Sequence, residues 1–130
     1  MTSSSTRLRR TEVPTEAQEQ RALFEWASFN LGRYPELLLL YHIPNGGSRN
    51  AIEAKNLKAQ GVKAGVPDVC LPVACGEYSA LYIEMKRREG GHLSEVQRDW
   101  LALLNRVGNK AVVCKGWEEA RDAIIEYLSK

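Results

Sequence analysis

The sequence predicts an α/β fold in which a mixed β-sheet of about four strands is flanked by helices. Three observations favour this class. Apolar residues recur at helical spacing near both ends of the chain, short apolar runs typical of strands occupy its middle, and turn-forming residues separate the two kinds of segment. A length of 130 residues with 44% apolar content is enough for one domain with a single core.

The chain divides into a short arm and one domain. Residues 1–13 are rich in Ser, Thr and Arg, which predicts a flexible basic arm, and residues 14–130 are predicted to form a single domain. No apolar run approaches the roughly 20 residues that cross a bilayer, and the first residues lack the apolar stretch of a signal peptide. We therefore expect a cytoplasmic protein that does not contact a membrane.

Charge and cysteine content leave the choice of partner open. A net charge of +2 does not by itself indicate nucleic acid, although basic residues cluster at positions 7–10, 55–63 and 86–88. The three cysteines are odd in number and lack the paired spacing of a zinc site, so we expect free thiols in the core.

Two helices and a strand are predicted in the first half of the domain. Thr15 can cap the first helix, and Asn50, with Glu53 three residues later, can cap a second helix over about 51–60. Between them, the short apolar run Leu37–Ile43 is bounded by prolines and predicts the first strand.

The second half predicts a β-hairpin, a helix, a strand and a final helix. The elements are strands at 68–73 and 79–86, a helix after Ser94, a strand at 111–114 and a helix at 117–128. The helix after Ser94 is expected to bury an apolar face made of Val96, Trp100, Leu101, Leu103 and Leu104. Because a strand–helix–strand unit in one sheet is right-handed and parallel, the last two strands should run parallel.

Three charged residues of the predicted hairpin form a candidate active site. Alternation puts Glu84 and Lys86 on one face of their strand, and a hairpin centred on Gly76 puts Asp68 opposite Glu84. Two opposed carboxylates, with Cβ atoms about 4.5–5.5 Å apart, repel each other unless a cation or a proton lies between them. Mg²⁺ suits such oxygen ligands, and Lys86 could then orient or deprotonate a water. The alternative is a surface salt bridge between Asp68 and Lys86.

These residues also carry a family resemblance. Gly65-Val66-Pro67-Asp68 followed by Ile83-Glu84-Met85-Lys86 is similar to the signature of the PD-(D/E)XK nucleases. Surrounding features resemble the VRR-NUC (virus-type replication-repair nuclease) branch; they are Glu16 with Gln20, Ile43–Gly47 with Arg49, the run Gly61–Gly65, and Leu93-Ser94 with Gln97. The resemblance covers about residues 16–128 and implies the PD-(D/E)XK core fold.

The resemblance implies a role for each residue of the candidate site. Asp68 and Glu84 would bind Mg²⁺ or Mn²⁺ with help from the backbone carbonyl of Met85, and Lys86 would assist the nucleophilic water. Gln97 would project toward the site from the next helix. Ser94-x-x-Gln97 equally fits a capping box, and both roles can hold.

A carboxylate on the first helix is also expected to belong to the candidate site by the resemblance. Glu16 matches the family's Glu-x-x-x-Gln spacing with Gln20 and is preferred, and Glu19, on the same face as Leu23, is the alternative. Either acid can instead simply favour the N-terminus of the helix through its dipole.

Contacts to DNA are expected around the turn Asn45-Gly46-Gly47, where glycine lets main-chain N–H groups approach a phosphate. By the resemblance this turn contacts DNA, together with Arg49, Lys63 and Arg87. His42 beside the turn is expected to lie at the rim rather than to bind metal, because hard cations prefer oxygen.

The function implied is that of a metal-dependent, structure-selective DNA endonuclease, with a homodimer acting on branched DNA like a Holliday-junction resolvase as the favoured subclass. A flap or nicked-end repair nuclease is one alternative. A catalytically silent DNA-binding module is another, although two opposed carboxylates without a metal would repel phosphate. The resemblance also suggests a phage or prophage origin.

Overall fold

The computed structural model describes residues 12–44 and 50–130, and it has the predicted α/β architecture. The elements are α1 (Glu16–Phe29), a 3-10 helix (Pro35–Leu39), β1 (Tyr41–His42), α2 (Ala51–Ala59), β2 (Val69–Leu71), β3 (Leu81–Lys86), α3 (Glu95–Arg106), β4 (Lys110–Lys115) and α4 (Trp117–Leu128). Within the described residues, the four strands form one sheet in the order β1-β2-β3-β4. β1, β2 and β3 pair antiparallel and β4 runs parallel to β3, as predicted.

The helices begin where their capping residues predict. The Thr15 hydroxyl accepts a hydrogen bond from the Gln18 N–H at 3.1 Å, and the Gln18 side chain accepts one from the Thr15 N–H at 2.9 Å. At α2, the Asn50 side chain accepts from the Glu53 N–H at 2.7 Å. These bonds satisfy main-chain donors that have no partner inside a helix.

The predicted strand Leu37–Ile43 is wrong over its first half. Residues Pro35–Leu39 form a 3-10 helix, and only Tyr41–His42 pair with β2. Proline favours the first turn of a helix because its fixed φ suits that turn and the N–H it lacks would be unpaired there. A short apolar run does not by itself distinguish a strand from a buried turn of helix, and here the turn buries Leu37.

The hairpin has the predicted register. Val69 pairs with Ile83 and Leu71 with Leu81, which are positions symmetric about residue 76, and Gly76 adopts a φ of +59° near the turn. Continuing this register by one residue places Asp68 opposite Glu84. The strands are shorter than predicted, because β2 ends at Leu71 and β3 begins at Leu81.

The two faces of the sheet have different roles. Strands β3 and β4 pack against α4, and α1 also contacts β3 and α4. The core between them consists of buried apolar side chains from all these elements, including Leu23, Val69, Ile83, Met85 and Ile124. The opposite face of β3 carries Glu84 and Lys86 toward α3.

The apolar face predicted for α3 is only partly buried. Leu101 is buried, but Val96 and Leu103 are 43% and 53% exposed. All three cysteines are free, with Cys70 and Cys114 buried and Cys75 partly buried. No described helix is long and apolar enough to span a membrane. The predicted arm, residues 1–13, lies almost entirely outside the described part of the chain.

Candidate active site

Asp68 and Glu84 lie side by side where two adjacent strands meet. Asp68 directly precedes β2, and its Oδ2 accepts a hydrogen bond of 2.7 Å from the main-chain N–H of Met85. This bond holds the Asp68 carboxylate against β3. Glu84, in the middle of the sheet, is only 1% exposed. The hairpin therefore brings two carboxylates together at the point where β2 begins.

Glu84 is a buried carboxylate whose hydrogen bonding is incomplete. Its Oε2 accepts a bond of 3.1 Å from the Gln97 side chain and lies 3.7 Å from the ammonium of Lys86. Its Oε1 is buried and has no hydrogen-bond partner among the described residues. A buried carboxylate oxygen without a donor is costly, which makes this atom the clearest sign that a group is missing from the site.

The electrostatics of Glu84 agree with this geometry. Burial, and then the charge of the neighbouring Asp68 carboxylate, raise the pKa of Glu84 to about 8, against the opposing effect of Lys86. The more distant charge of Glu16 raises this pKa further. Without a cation, Glu84 therefore tends to keep a proton near neutral pH.

Gln97 connects the charged side chains to the start of α3. Its Oε1 accepts from the Lys86 ammonium at 3.1 Å and from the main-chain N–H of Ser94 at 2.9 Å, and its Nε2 donates to Glu84. The Ser94 hydroxyl accepts from the Gln97 N–H at 3.2 Å. A single amide thus takes part in the capping box and in the polar cluster, so the two alternatives weighed from the sequence occur together.

The carbonyl of Met85 is directed to the same edge as Asp68. The main-chain groups of successive residues in a strand point to opposite neighbours. The Lys86 carbonyl accepts a hydrogen bond from the Gly116 N–H on the β4 side, so the N–H and carbonyl of Met85 point to the β2 side, where the N–H bonds to Asp68. The register places Pro67 opposite Met85. Because proline has no N–H, it cannot give the Met85 carbonyl a ladder hydrogen bond.

The two candidate acids of α1 occupy different environments. Glu16 is exposed, and its charge acts on Glu84. Glu19 is 1% exposed and accepts bonds from Arg88 at 2.7 and 3.0 Å and from the Trp117 N–H at 3.1 Å. The hydrogen bonds from Arg88 lower the pKa of Glu19 most strongly. Glu19 is therefore fully engaged in joining α1 to the residues after β3 and to α4.

Comparison with known proteins identifies the family. The model of the VRR-NUC domain matches residues 9–118 of the sequence. The chain belongs to the VRR-NUC family. A solved structure described as a VRR_NUC domain protein superposes with a TM-score of 0.78 at 28% sequence identity, covering 91% of each chain. A search of curated proteins found no match.

Membership of the VRR-NUC family gives the chain a nuclease-type function within the PD-(D/E)XK superfamily, whose substrate is nucleic acid and whose members typically use divalent metals. No group of three or more His, Cys, Asp or Glu side chains in residues 12–44 and 50–130 is placed to hold a metal ion. Mg²⁺ does not need one, because it keeps several waters and takes one or two carboxylates together with phosphate oxygens. The Asp68–Glu84 pair, with its unpartnered oxygen, fits such a cation.

The residues predicted to contact DNA are only partly visible in this VRR-NUC domain. Asn45, Gly46, Gly47 and Arg49 lie outside the described residues. Lys63 is exposed in the loop between α2 and β2, and Arg87 donates to the main-chain carbonyls of Pro14 and Val13 at 3.2 and 3.3 Å. His42 donates through Nδ1 to the carbonyl of Asp68 at 2.8 Å, which places it at the rim.

Sequence reasoning missed the role of Arg88. Its guanidinium bridges Glu19 and Glu118 and lies two residues beyond Lys86. A signal was available, because a glutamate on the apolar face of a helix, as Glu19 is, needs a cationic partner. The sequence does not say which of the many basic residues provides it.

Proposed function

We propose that this VRR-NUC domain is a metal-dependent endonuclease that hydrolyses phosphodiester bonds of DNA. Asp68, Glu84 and the Met85 carbonyl would hold Mg²⁺ or Mn²⁺. The observation that carries the proposal is the buried Oε1 of Glu84, which has no partner in the described residues and lies beside a second carboxylate. A bound divalent cation would neutralise the acidic pair and stabilise negative charge on the phosphate oxygens.

Lys86 is placed to act on the attacking water. Lys86 is only 6% exposed, and its ammonium donates one bond to Gln97 and lies 3.7 Å from Glu84. An ammonium has three N–H donors, so Lys86 can also orient a water or contact a phosphate oxygen. Its fixed position relative to Glu84 is what supports this role.

Gln97 and Glu16 would act through their neighbours. Gln97 holds the Glu84 carboxylate and the Lys86 ammonium with opposite ends of one amide, so it sets the spacing between the metal ligand and the residue that assists water. Glu16 is exposed, and its charge acts on Glu84. We propose Glu16 rather than Glu19 as the acid of the first helix, because Glu19 is engaged by Arg88 and Trp117.

We further propose branched DNA as the substrate and a homodimer as the active form, as in a Holliday-junction resolvase. The support is the resemblance of the motifs around Asp68 and Glu84, together with the need for two sites to cut two opposed strands. Recognition would then depend on shape and on phosphate contacts from Lys63, Arg49 and the turn Asn45–Gly47. A flap or nicked-end nuclease is the alternative substrate class.

The proposal is tested by incubating labelled four-way junction, flap, duplex and single-stranded DNA with the protein and Mg²⁺, Mn²⁺ or EDTA. Wild type is compared with Asp68→Asn, Glu84→Gln and Lys86→Ala. Two matched controls are Asp99→Asn, an exposed acid on α3, and Lys115→Ala, the exposed neighbour of Lys86 in the register of β3 and β4. Sedimentation of free and DNA-bound protein gives the oligomeric state.

We expect metal-dependent cutting of the junction that is abolished in Asp68→Asn and Glu84→Gln, and lowered at least about 100-fold in Lys86→Ala. The two controls should cut normally. Binding of DNA without cleavage under any metal would overturn the enzyme in favour of a silent binding module. Preferred cutting of flaps by a monomer would overturn the resolvase subclass but not the nuclease.

A further inference from the structure

An apolar groove of about 520 Å³ opens beside the acidic pair. It lies between the end of β1, the loop after α2 and the middle of α3. Its lining includes Ile43, Pro44, Val62, Lys63, Val66 and Trp100. Among the described residues, the side chains that contact the Glu84 carboxylate, Gln97 and Lys86, do not line this groove.

The groove begins next to Asp68. The register of β1 and β2 continues to pair Ile43 with Asp68, and the Ile43 N–H donates to the Asp68 carbonyl at 2.7 Å. Paired residues on adjacent strands have Cβ atoms about 4.5–5.5 Å apart. Ile43, Asp68 and Glu84 therefore form one row across the sheet, and a nucleotide whose phosphate meets the acids has its base within reach of the groove.

The wall formed by α3 is held in place. The indole N–H of Trp100 donates to the carbonyl of Ala64 at 3.1 Å, so the polar edge of the ring is already bound. Gly65 packs so closely on α3 that a Cβ there would come within 2.9 Å of Val96 and 3.0 Å of Trp100. Trp100 thus presents aromatic surface to the groove without needing to move.

The positive charges around the groove are complementary to the negative phosphate of a nucleotide. Lys63 lines this groove and, with Lys58, a neighbouring cavity, so positive charge lies at the rim of the apolar surface. An aromatic wall with a nearby cation is the combination that binds unstacked bases and their phosphates in single strands. An apolar peptide would use the wall but not the lysines or the adjoining acidic pair.

We propose that this groove binds an unstacked nucleobase next to the scissile phosphodiester, so that DNA with unpaired nucleotides at the cut is selected. The inference rests on the proposed nuclease function and specifies its substrate. In an intact duplex each base stays stacked and the groove stays empty. At a branch point unstacking is less costly, because one side of the stack is already broken.

The test uses junctions in which a single abasic residue replaces each nucleotide in turn around the cut. Wild type should lose about tenfold to a hundredfold in kcat/KM at one position only, which is the contribution of one base stacked on an aromatic side chain. In Val62→Phe, whose larger side chain fills the groove, intact and abasic substrates should be cut at the same reduced rate. Val107→Phe, on the exposed end of α3, is the control and should behave as wild type.

A second measurement does not depend on cleavage. 2-Aminopurine at the same position should change its emission when Asp68→Asn protein binds the junction in EDTA, and the additional Val62→Phe substitution should remove the change. Equal cutting of abasic and intact junctions, or unchanged emission at every position, would overturn the base groove. If no DNA is cut under any metal while the emission still changes, the nuclease proposal fails and the groove remains.

Discussion

The register of β2 and β3, extended by two residues beyond Val69 and Ile83, places Pro67 opposite Met85, and proline has no N–H. The Met85 N–H is taken by the Asp68 carboxylate at 2.7 Å. The dipeptide Pro67-Asp68 therefore affects both main-chain groups of Met85. The proline leaves the Met85 carbonyl without a hydrogen-bond donor from the neighbouring strand, and the Asp68 side chain accepts the hydrogen bond of the Met85 N–H.

Replacing Pro67 with alanine tests this relationship. An N–H at position 67 would bond to the Met85 carbonyl and compete with a cation for that oxygen. We expect Pro67→Ala to weaken Mg²⁺ binding on the order of tenfold, in the range found for residues that support metal ligands, while the protein stays folded. Calorimetric titration with Mg²⁺ measures this. Pro44→Ala, an exposed proline at the end of β1, is the control, and an unchanged Mg²⁺ affinity in Pro67→Ala would exclude the Met85 carbonyl as a ligand.

The pairing of Asp68 with Glu84 could be predicted because it depends on strand alternation and on a short hairpin with its turn close to Gly76. The 3-10 helix Pro35–Leu39 could not, because a run of leucines satisfies both a strand and a buried helical turn. The choice between them depends on what the rest of the fold packs against Leu37.

The partner of Glu19 lay beyond sequence reasoning for a different reason. Arg88 is 69 residues away, and the two meet only because α1 packs beside the end of β3. The spacing with Gln20 favoured Glu16 but left Glu19 as an alternative, since both lie in the first turn of α1. Burial and hydrogen bonding separate them, and those are properties of the folded chain.

The raised pKa of Glu84 predicts how stability depends on pH. The folded state binds this proton more tightly than the unfolded state, so the free energy of unfolding falls as the pH rises from about 4.5 to the folded pKa of about 8. In Glu84→Gln this fall should disappear, making the variant more stable than wild type at pH 8 in EDTA. Urea unfolding at pH 5 and pH 8 measures the difference between the two proteins.

Metal should make wild type more stable than Glu84→Gln at pH 8, the reverse of the order in EDTA. At pH 8, Mg²⁺ should stabilise wild type, because the cation takes the place of the proton between the carboxylates, and should leave Glu84→Gln nearly unchanged. Equal stabilisation of both proteins by Mg²⁺ would show that the cation binds elsewhere.

The two capping boxes of the protein allow the roles of Gln97 to be separated. Gln18 and Gln97 make the same bonds at the starts of α1 and α3, but only Gln97 also contacts Glu84 and Lys86. Gln18→Ala and Gln97→Ala should each lower the free energy of unfolding by about 1 kcal/mol through the lost cap. Only Gln97→Ala should also slow cleavage, by roughly tenfold or more in kcat.

Ser94→Ala completes this comparison. It removes the hydroxyl that accepts from the Gln97 N–H but leaves the Gln97 side chain in place. Thermal unfolding and single-turnover cleavage are measured on all three variants. Loss of cleavage in Ser94→Ala equal to that in Gln97→Ala would mean that the integrity of α3, and not the amide of Gln97, sets the rate.

Glu19 should behave as a structural residue whose effect on stability depends on pH. Its carboxylate accepts three hydrogen bonds, and even in the better orientation of the new amide Glu19→Gln would turn the contact with Arg88 Nε into a donor-to-donor conflict and remove the charge that attracts the guanidinium. We expect the free energy of unfolding to fall by about 2 kcal/mol at pH 7. Because the pKa of Glu19 is lowered in the fold, the stabilisation is present above about pH 4.5 and is lost as the pH falls further. The gap between wild type and variant should therefore be narrower at pH 3, below the ordinary pKa of a glutamate, than at pH 7. Glu118→Gln, the exposed partner of the same Arg88, should change stability little at either pH. A stable Glu19→Gln protein that had lost cleavage would instead make Glu19 the acid of the active site.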